Sequence, residues 1–335
     1  MEFTKVKIGI VGVTGVAQIT HLPILKVMKN VEVVALCDSD LEHANRIADK
    51  FNVPHVYSDI EDMLQFSELD LVDICTPVQL HVHNALAALE SGKHVIIEKP
   101  FAENFVDAEK IVQAAYKYDR NIMSMQNLRY RSDAIILKNI LSNNLLGKIR
   151  YVKSGWLRRN EKWRQLSSRQ NNESGVIMQL GLQLMDLGLW LVENPRVLSV
   201  KATAFNVQNK EAEDTAFISM HLEKDMTLTA EISWNMKFGK DFRYVNLIGE
   251  NGVARLNPLT IYREENGKLA NITPAKRQTR ENHYQHSYEN EFSHYVFCLS
   301  HNQEIQSDGK EIIQRFRLLD AIYKSVSTGK EVEVG

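Results

Sequence analysis

Through residue 125 the chain alternates short apolar runs with amphipathic segments. Val6–Val11, Val31–Cys37, Leu71–Ile74, His94–Ile97 and Ile122–Met125 are continuous runs rich in β-branched residues. Strands covered by helices on both faces of a parallel sheet read this way, because neither face meets water. Between them, Leu41, Ala44, Ile47, Ala48 and Phe51 fall on one helical face, as do Phe105, Ala108, Ile111, Val112 and Ala115. Strand and helix repeated in this order predict a doubly wound α/β domain over residues 1–125.

The pattern then changes. A helix is expected over Ser132–Asn143, closed by a turn at Asn144–Gly147. Further on, Ser199–Phe205, Thr215–Leu222, Thr227–Trp234 and Tyr244–Ile248 alternate apolar with polar residues. Such strands bury one face of a sheet and leave the other available. A helix over Leu182–Val192 interrupts them. Another closes the chain with Ile313, Phe316, Leu319, Tyr323 and Val326 on its apolar side. Residues 126–335 therefore read as an α+β domain built on a large, mainly antiparallel open sheet. The polar stretch Arg158–Glu173 is the longest candidate loop, the kind of segment that often carries function.

Composition narrows the partners. The 335 residues are 44% hydrophobic and 24% charged, with a net charge of −2, which offers no electrostatic attraction to nucleic acid. No apolar run approaches the ~18 residues needed to span a bilayer, so no membrane role is expected. The N-terminus shows no leader pattern, and Cys37, Cys75 and Cys298 have neither disulfide nor metal spacing. A cytoplasmic protein with a small-molecule ligand is the expectation. No metal site is expected either, since His81 and His83 lie two apart and do not share a helical face.

Chemistry enters after the first strand, at Gly12-Val13-Thr14-Gly15-Val16-Ala17. In a GxGxxG reading Gly12 makes the tight turn and Ala17 is the small residue that lets the helix approach the strand. Thr14 replaces the second glycine and narrows the approach of a pyrophosphate, although its hydroxyl can donate to a phosphate oxygen. The helix N-terminus still offers N–H groups to an anion. Asp38 ends the second strand, where a carboxylate binds ribose hydroxyls and repels a 2′-phosphate, so NAD is expected over NADP. Asp38 is also a plausible helix N-cap.

At Glu98-Lys99-Pro100 the sequence resembles the Gfo/Idh/MocA oxidoreductases, the glucose–fructose oxidoreductase and inositol dehydrogenase family. The resemblance extends through Thr76-Pro77 with His81, through Ala85–His94, Arg129, Gly147-Lys148 and Trp163-Arg164, and into Leu319–Tyr323 with Thr328-Gly329-Lys330. It implies hydride transfer between a nicotinamide cofactor and a hydroxyl carbon of a sugar, cyclitol or related polyol. By position it places Thr76, Pro77, His81, Glu98, Asn127, Trp163 and Arg164 along the cofactor groove. It places Lys99 beside the reacting hydroxyl, where a nearby positive ring favours the neutral amine. Related proteins pair such sheets face to face, so a homodimer or homotetramer is expected.

The family's second motif has the form G-G-x-x-x-D-x-G-x-H-x-x-D. Aligned on Gly175, Gly181 and Asp186, it puts Gln179 and Gln183 at the Asp and His positions. Amides bond hydroxyls but take no proton near neutrality. Gln179, Gln183, Asp186, Arg158 and Tyr130 are candidate substrate contacts, with Asp186 expected on the face of Gln183. Three readings stay open: a dehydrogenase using Lys99 alone or with Tyr130, His283 or Tyr284; a non-catalytic NAD- or sugar-binding regulator; and an NAD-dependent glycosidase. His283, Tyr284, His286 and Tyr288 read as a loop before a helix over Glu289–Leu299.

Overall fold

The computed structural model describes residues 5–158, 174–206, 212–235, 241–274 and 283–335. The chain forms two compact units. The first joins Met1–Asn127 to Tyr284–Gln314, and the second joins Leu128–His283 to Arg315–Gly335. A single cut at residue 125 therefore misses the return of 284–314 to the first unit. That return is fixed by buried polar contacts: the Tyr295 hydroxyl donates to the Ser124 carbonyl at 2.9 Å, and Asn127 donates to Ser287 Oγ at 2.8 Å.

In the first unit six strands, β1 (Val6–Val11), β2 (Val31–Cys37), β3 (His55–Tyr57), β4 (Leu71–Ile74), β5 (His94–Ile97) and β6 (Ile122–Ser124), form a parallel sheet in the order β3-β2-β1-β4-β5-β6. Helices α1 (Leu22–Leu25), α2 (Leu41–Phe51), α3 (Ile60–Leu64), α4 (His81–Glu90) and α5 (Phe105–Lys117) belong to it. The apolar runs are its core: Ile8, Ile10, Leu71, Val72, Val95 and Ile97 have no exposed surface. Burying each such side chain contributes roughly 1.5–3 kcal/mol. Helix starts follow the cap residues. Asp40 accepts from the His43 N–H at 2.9 Å to start α2, and Asn104 accepts from the Asp107 N–H at 2.9 Å to start α5. The strand order reverses between β1 and β4, which is where ligands bind in open sheets of this kind.

The second unit holds α6 (Ser132–Ser142), α7 (Leu182–Leu191) and nine strands: β7 (Ile149–Leu157), β8 (Val197–Phe205), β9 (Thr215–Leu222), β10 (Met226–Ser233), β11 (Phe242–Gly249), β12 (Gly252–Leu256), β13 (Thr260–Glu265), β14 (Lys268–Asn271) and β15 (Val332–Glu333). Their order is β14-β13-β12-β11-β7-β10-β9-β8-β15, antiparallel except for β7 beside β10. Alternation decides the faces. Ala216, Ile218, Met220 and Leu222 are buried on one side, where α7 packs on β7 and β10, while Phe217, Ser219 and His221 are exposed on the other. The register carries that open side across the sheet through Phe205, Phe217, Phe242, Ile248, Val253 and Tyr262, all exposed. Two helices complete the chain, α8 (His283–His301) and α9 (Gly309–Thr328), the latter running from the first unit into the second. Among the described residues, no helix is long and apolar enough to cross a membrane.

Candidate functional site

The loop leaving β1 is built around Gly12. Its φ is +84°, and a Cβ there would lie 2.8 Å from the Thr76 backbone nitrogen, so only glycine lets the β1 and β4 loops approach. Gly15 has φ +52°, and a Cβ there would meet nothing within 4 Å. Val13 N–H donates to Asp38 Oδ2 at 2.9 Å, while Asp38 Oδ1 accepts from Asp40 N–H at 3.0 Å. Asp38 thus ties the loop to the end of β2, and the cap of α2 falls to Asp40. The N–H groups of Thr14, Gly15 and Val16 take no partner among the described residues. After Val16 the chain enters a π-helical turn, Ala17–His21, before α1. Such turns are frequent at functional sites.

That turn carries His21 into the interior, a residue the sequence reading passed over. His21 is fully buried, with Nδ1 2.7 Å from Asp73 Oδ2 and Nε2 3.1 Å from Glu98 Oε1. Cys75 Sγ lies 3.3 Å from the same Nδ1. Burial opposes charge on the ring, yet Asp73 holds its pKa well above the ordinary histidine range. Glu98 is held down to about 2: burial works against its charge, and Lys99 and His21 overcome it. Burial pushes the Cys75 thiol up to about 12, which leaves it inert as a nucleophile.

Glu98 also accepts the Tyr288 hydroxyl at 3.0 Å and the Lys99 N–H at 2.7 Å. Lys99 Nζ donates to Asn127 Oδ1 at 2.6 Å and to the Tyr288 hydroxyl at 3.0 Å, and stands 4.9 Å from the Tyr288 ring centre. Tyr288 is buried, and burial followed by Glu98 pushes its pKa well above 10, so it stays a neutral phenol that accepts from Lys99 and donates to Glu98. Within this unit Lys99 is thus held by Asn127 and Tyr288, while Tyr284, one of the three helpers considered for Lys99, lies tilted against Tyr288 with ring centres 5.1 Å apart. Tyr130 and His283 belong to the second unit. His283–Tyr288 is not a loop but the first turns of α8, which begins at His283.

The remaining groove residues divide into supports and open positions. His81 is buried, its ring nitrogens 2.8 Å from the Thr76 carbonyl and 3.2 Å from the Phe101 carbonyl, so it braces two loops and is not itself open. Burial lowers its pKa. Glu98 and Asn127 are likewise spent on neighbours and serve Lys99. Thr14, Gly15 and Pro77 are exposed, while Thr76 and Lys99 are partly so.

In the second unit Gln179 sits in a π-helical turn, Ile177–Gly181, that leads into α7. Gln183 follows and donates from Nε2 to the Gln179 carbonyl at 2.5 Å. Every residue of α7 is buried except Gln183, so the two glutamines mark its accessible face. Asp186 corrects the expectation of a substrate contact. It is buried, bonded by Arg129 at 2.7 and 2.5 Å and by Arg315 at 2.9 Å. Burial raises its pKa, but the two guanidiniums prevail and hold it below the ordinary carboxylate value. Tyr130 is buried too. Arg158 pairs with Asp241 at 2.9 Å beside the Trp156 ring. Trp163 and Arg164 lie outside the described residues.

Residues 6–126 match the Gfo/Idh/MocA oxidoreductase family with its NAD-binding Rossmann fold, and residues 138–334 match that family's C-terminal alpha/beta domain. The chain belongs to this family. D-glucoside 3-dehydrogenase of Escherichia coli is 26% identical over 355 residues, covering 100% of this chain and 99% of its own length. Glucose-6-phosphate 3-dehydrogenase of Bacillus subtilis is 30% identical over 214 residues, covering 62% of this chain and 60% of its own. An oxidoreductase from Agrobacterium radiobacter, solved with NAD+, L-tartaric acid and magnesium, shares the fold with a TM-score of 0.88 at 22% identity, covering 99% of each chain. For a Gfo/Idh/MocA oxidoreductase the β1 loop fits a dinucleotide: three N–H donors stand at a helix N-terminus, and Gly15 leaves open space where a side chain would intrude.

Proposed function

We propose that this chain is an NAD-dependent dehydrogenase that moves a hydride between the nicotinamide and a hydroxyl-bearing carbon of a sugar, cyclitol or related polyol. The carrying observation is the setting of Lys99. An ammonium has three N–H donors, and Asn127 and Tyr288 take two of them, which fixes the direction of the third. NAD, when bound, would supply the hydride acceptor. Lys99 in its amine form takes the hydroxyl proton as the carbonyl forms, and returns it in the reverse reaction. Gln179 and Gln183 present amides to substrate hydroxyls. The names of the relatives, which include an inositol 2-dehydrogenase of Lactiplantibacillus plantarum, support this substrate class. Appearance of reduced nicotinamide with at least one sugar or cyclitol of a broad panel tests the proposal. NAD binding without turnover on any member favours the non-catalytic reading, which the two glutamines recommend.

Preference for NAD over NADP rests on Asp38. Asp38→Ser removes the carboxylate that repels a 2′-phosphate and also loosens the Val13 tether. The expected result is a fall of about tenfold or more in the NAD:NADP ratio of kcat/KM, mostly through weaker NAD binding. An unchanged ratio counts against the assignment.

The exposed apolar face of the second sheet fits a second copy of the chain, giving a homodimer or homotetramer. Light scattering should return a multiple of the 38.4 kDa chain mass; a monomer at micromolar concentration contradicts it. Three unpaired cysteines support a reducing, cytoplasmic setting.

A further inference from the structure

Arg243 in the second unit has no side-chain acceptor among the described residues. Arg243 on β11 stands directly opposite Trp156 on β7, on the sheet face that also carries Val152, Val245 and Leu247. Its guanidinium carbon lies 4.9 Å from the centre of the Trp156 ring. Among the described residues it has neither an ion pair nor a side-chain hydrogen bond. Its neighbours are differently served. Arg131 is held bidentately by Asp133 at 2.9 and 2.6 Å and by Asn257 Oδ1 at 2.7 Å, and Arg158 is paired with Asp241. Arg131 and Arg158 each have a carboxylate partner, Asp133 and Asp241, whereas Arg243 has none among the described residues.

Arg243 is half-buried, so burial strips part of the water from its guanidinium, and no side-chain acceptor among the described residues takes the place of that water. Burial, together with the charge of Arg131, pushes the Arg243 pKa down to about 10, which still leaves it charged at neutral pH. The backbone beneath it is fixed, with Asn257 Nδ2 donating to the Arg243 carbonyl at 3.1 Å. A planar fork of donors held over the Trp156 ring matches a carboxylate or a phosphate.

We infer that Arg243, stacked on Trp156 and flanked by Arg131, is a subsite for an anionic group of the substrate, so that the preferred ligand is an acidic sugar. The anion site stands on its own geometry; the substrate class rests on the dehydrogenase reading.

Calorimetry on the full chain with saturating NADH, at low salt, separates the two. The probes are D-glucose, D-glucuronate, D-glucose 6-phosphate and inorganic phosphate. At least one anionic probe is expected to bind tenfold or more tightly than D-glucose, with affinity falling as salt rises. In Arg243→Gln that advantage disappears while the melting temperature stays close to that of the wild type, since no ion pair or side-chain hydrogen bond of Arg243 among the described residues is lost. Glucuronate ahead of glucose 6-phosphate identifies a carboxylate, and the reverse order a phosphate. Equal or absent binding of all four probes overturns the inference. So does an anion preference that survives in Arg243→Gln, or a melting temperature that falls in this variant with binding unchanged. Anion binding that depends on Arg243, without any hydride transfer, leaves the subsite standing and removes the dehydrogenase reading.

Discussion

Lys99→Ala lowers turnover by about 10²–10⁴-fold, the usual contribution of a positioned acid–base group, while NAD(H) still raises the melting temperature as in the wild type. The two effects separate because the residues that would hold the dinucleotide, from Gly12 to Ala17 and at Asp38, make their contacts without Lys99. Tyr288→Phe gives a smaller loss of about tenfold. It keeps the ring under Lys99 but removes the oxygen that accepts from Nζ and donates to Glu98. It should also displace the pH profile of kcat, which a mere packing defect would not do. The check is steady-state kinetics on both variants beside a thermal shift with NADH. A Lys99→Ala enzyme with near-normal kcat removes Lys99 from the chemistry.

Asp186→Ala is expected to cost about 3–5 kcal/mol of stability. The reason is what remains behind. Arg129 and Arg315 are almost completely buried, and Asp186 is the carboxylate between them. Removing it leaves two guanidiniums facing each other without that counter-charge. Urea unfolding followed by tryptophan fluorescence measures the loss, Trp190 lying in α7 close in sequence to the change. If Asp186 were a substrate ligand, the variant would instead unfold normally and show a raised KM. A loss below about 1 kcal/mol contradicts the structural role.

The framework was legible because it is written locally. Val6–Val11 and Leu71–Ile74 are apolar throughout, and Thr215–Leu222 alternates cleanly, so period alone gives their class. β3 escaped since His55–Tyr57 holds one aliphatic residue in three, and edge strands need no longer run. The opening of α8 escaped for a related reason: His283–Tyr288 is too polar to show a helical stripe. The site was legible only where a motif spans adjacent residues, as in Gly12–Ala17 and Glu98-Lys99-Pro100. Tyr288 is 189 residues from Lys99, and His21 is 52 from Asp73, distances over which local pattern carries no information. Asp186 misled because i,i+3 spacing normally means a shared face, but α7 is buried nearly all round and Gln183 alone looks outward. Arg243 was invisible for the opposite reason, an ordinary arginine at the start of an ordinary strand whose meaning lies in having no side-chain acceptor among the described residues.

The central claim is that hydride passes directly between a substrate carbon and bound NAD. A sugar or cyclitol that supports turnover, deuterated at the reacting carbon and mixed with protein and NAD+ in single turnover, tests it most directly. The account predicts one deuterium on the nicotinamide ring for each carbonyl formed, with no exchange with solvent. Bound NAD that never acquires deuterium from any panel sugar, acidic members included, contradicts it.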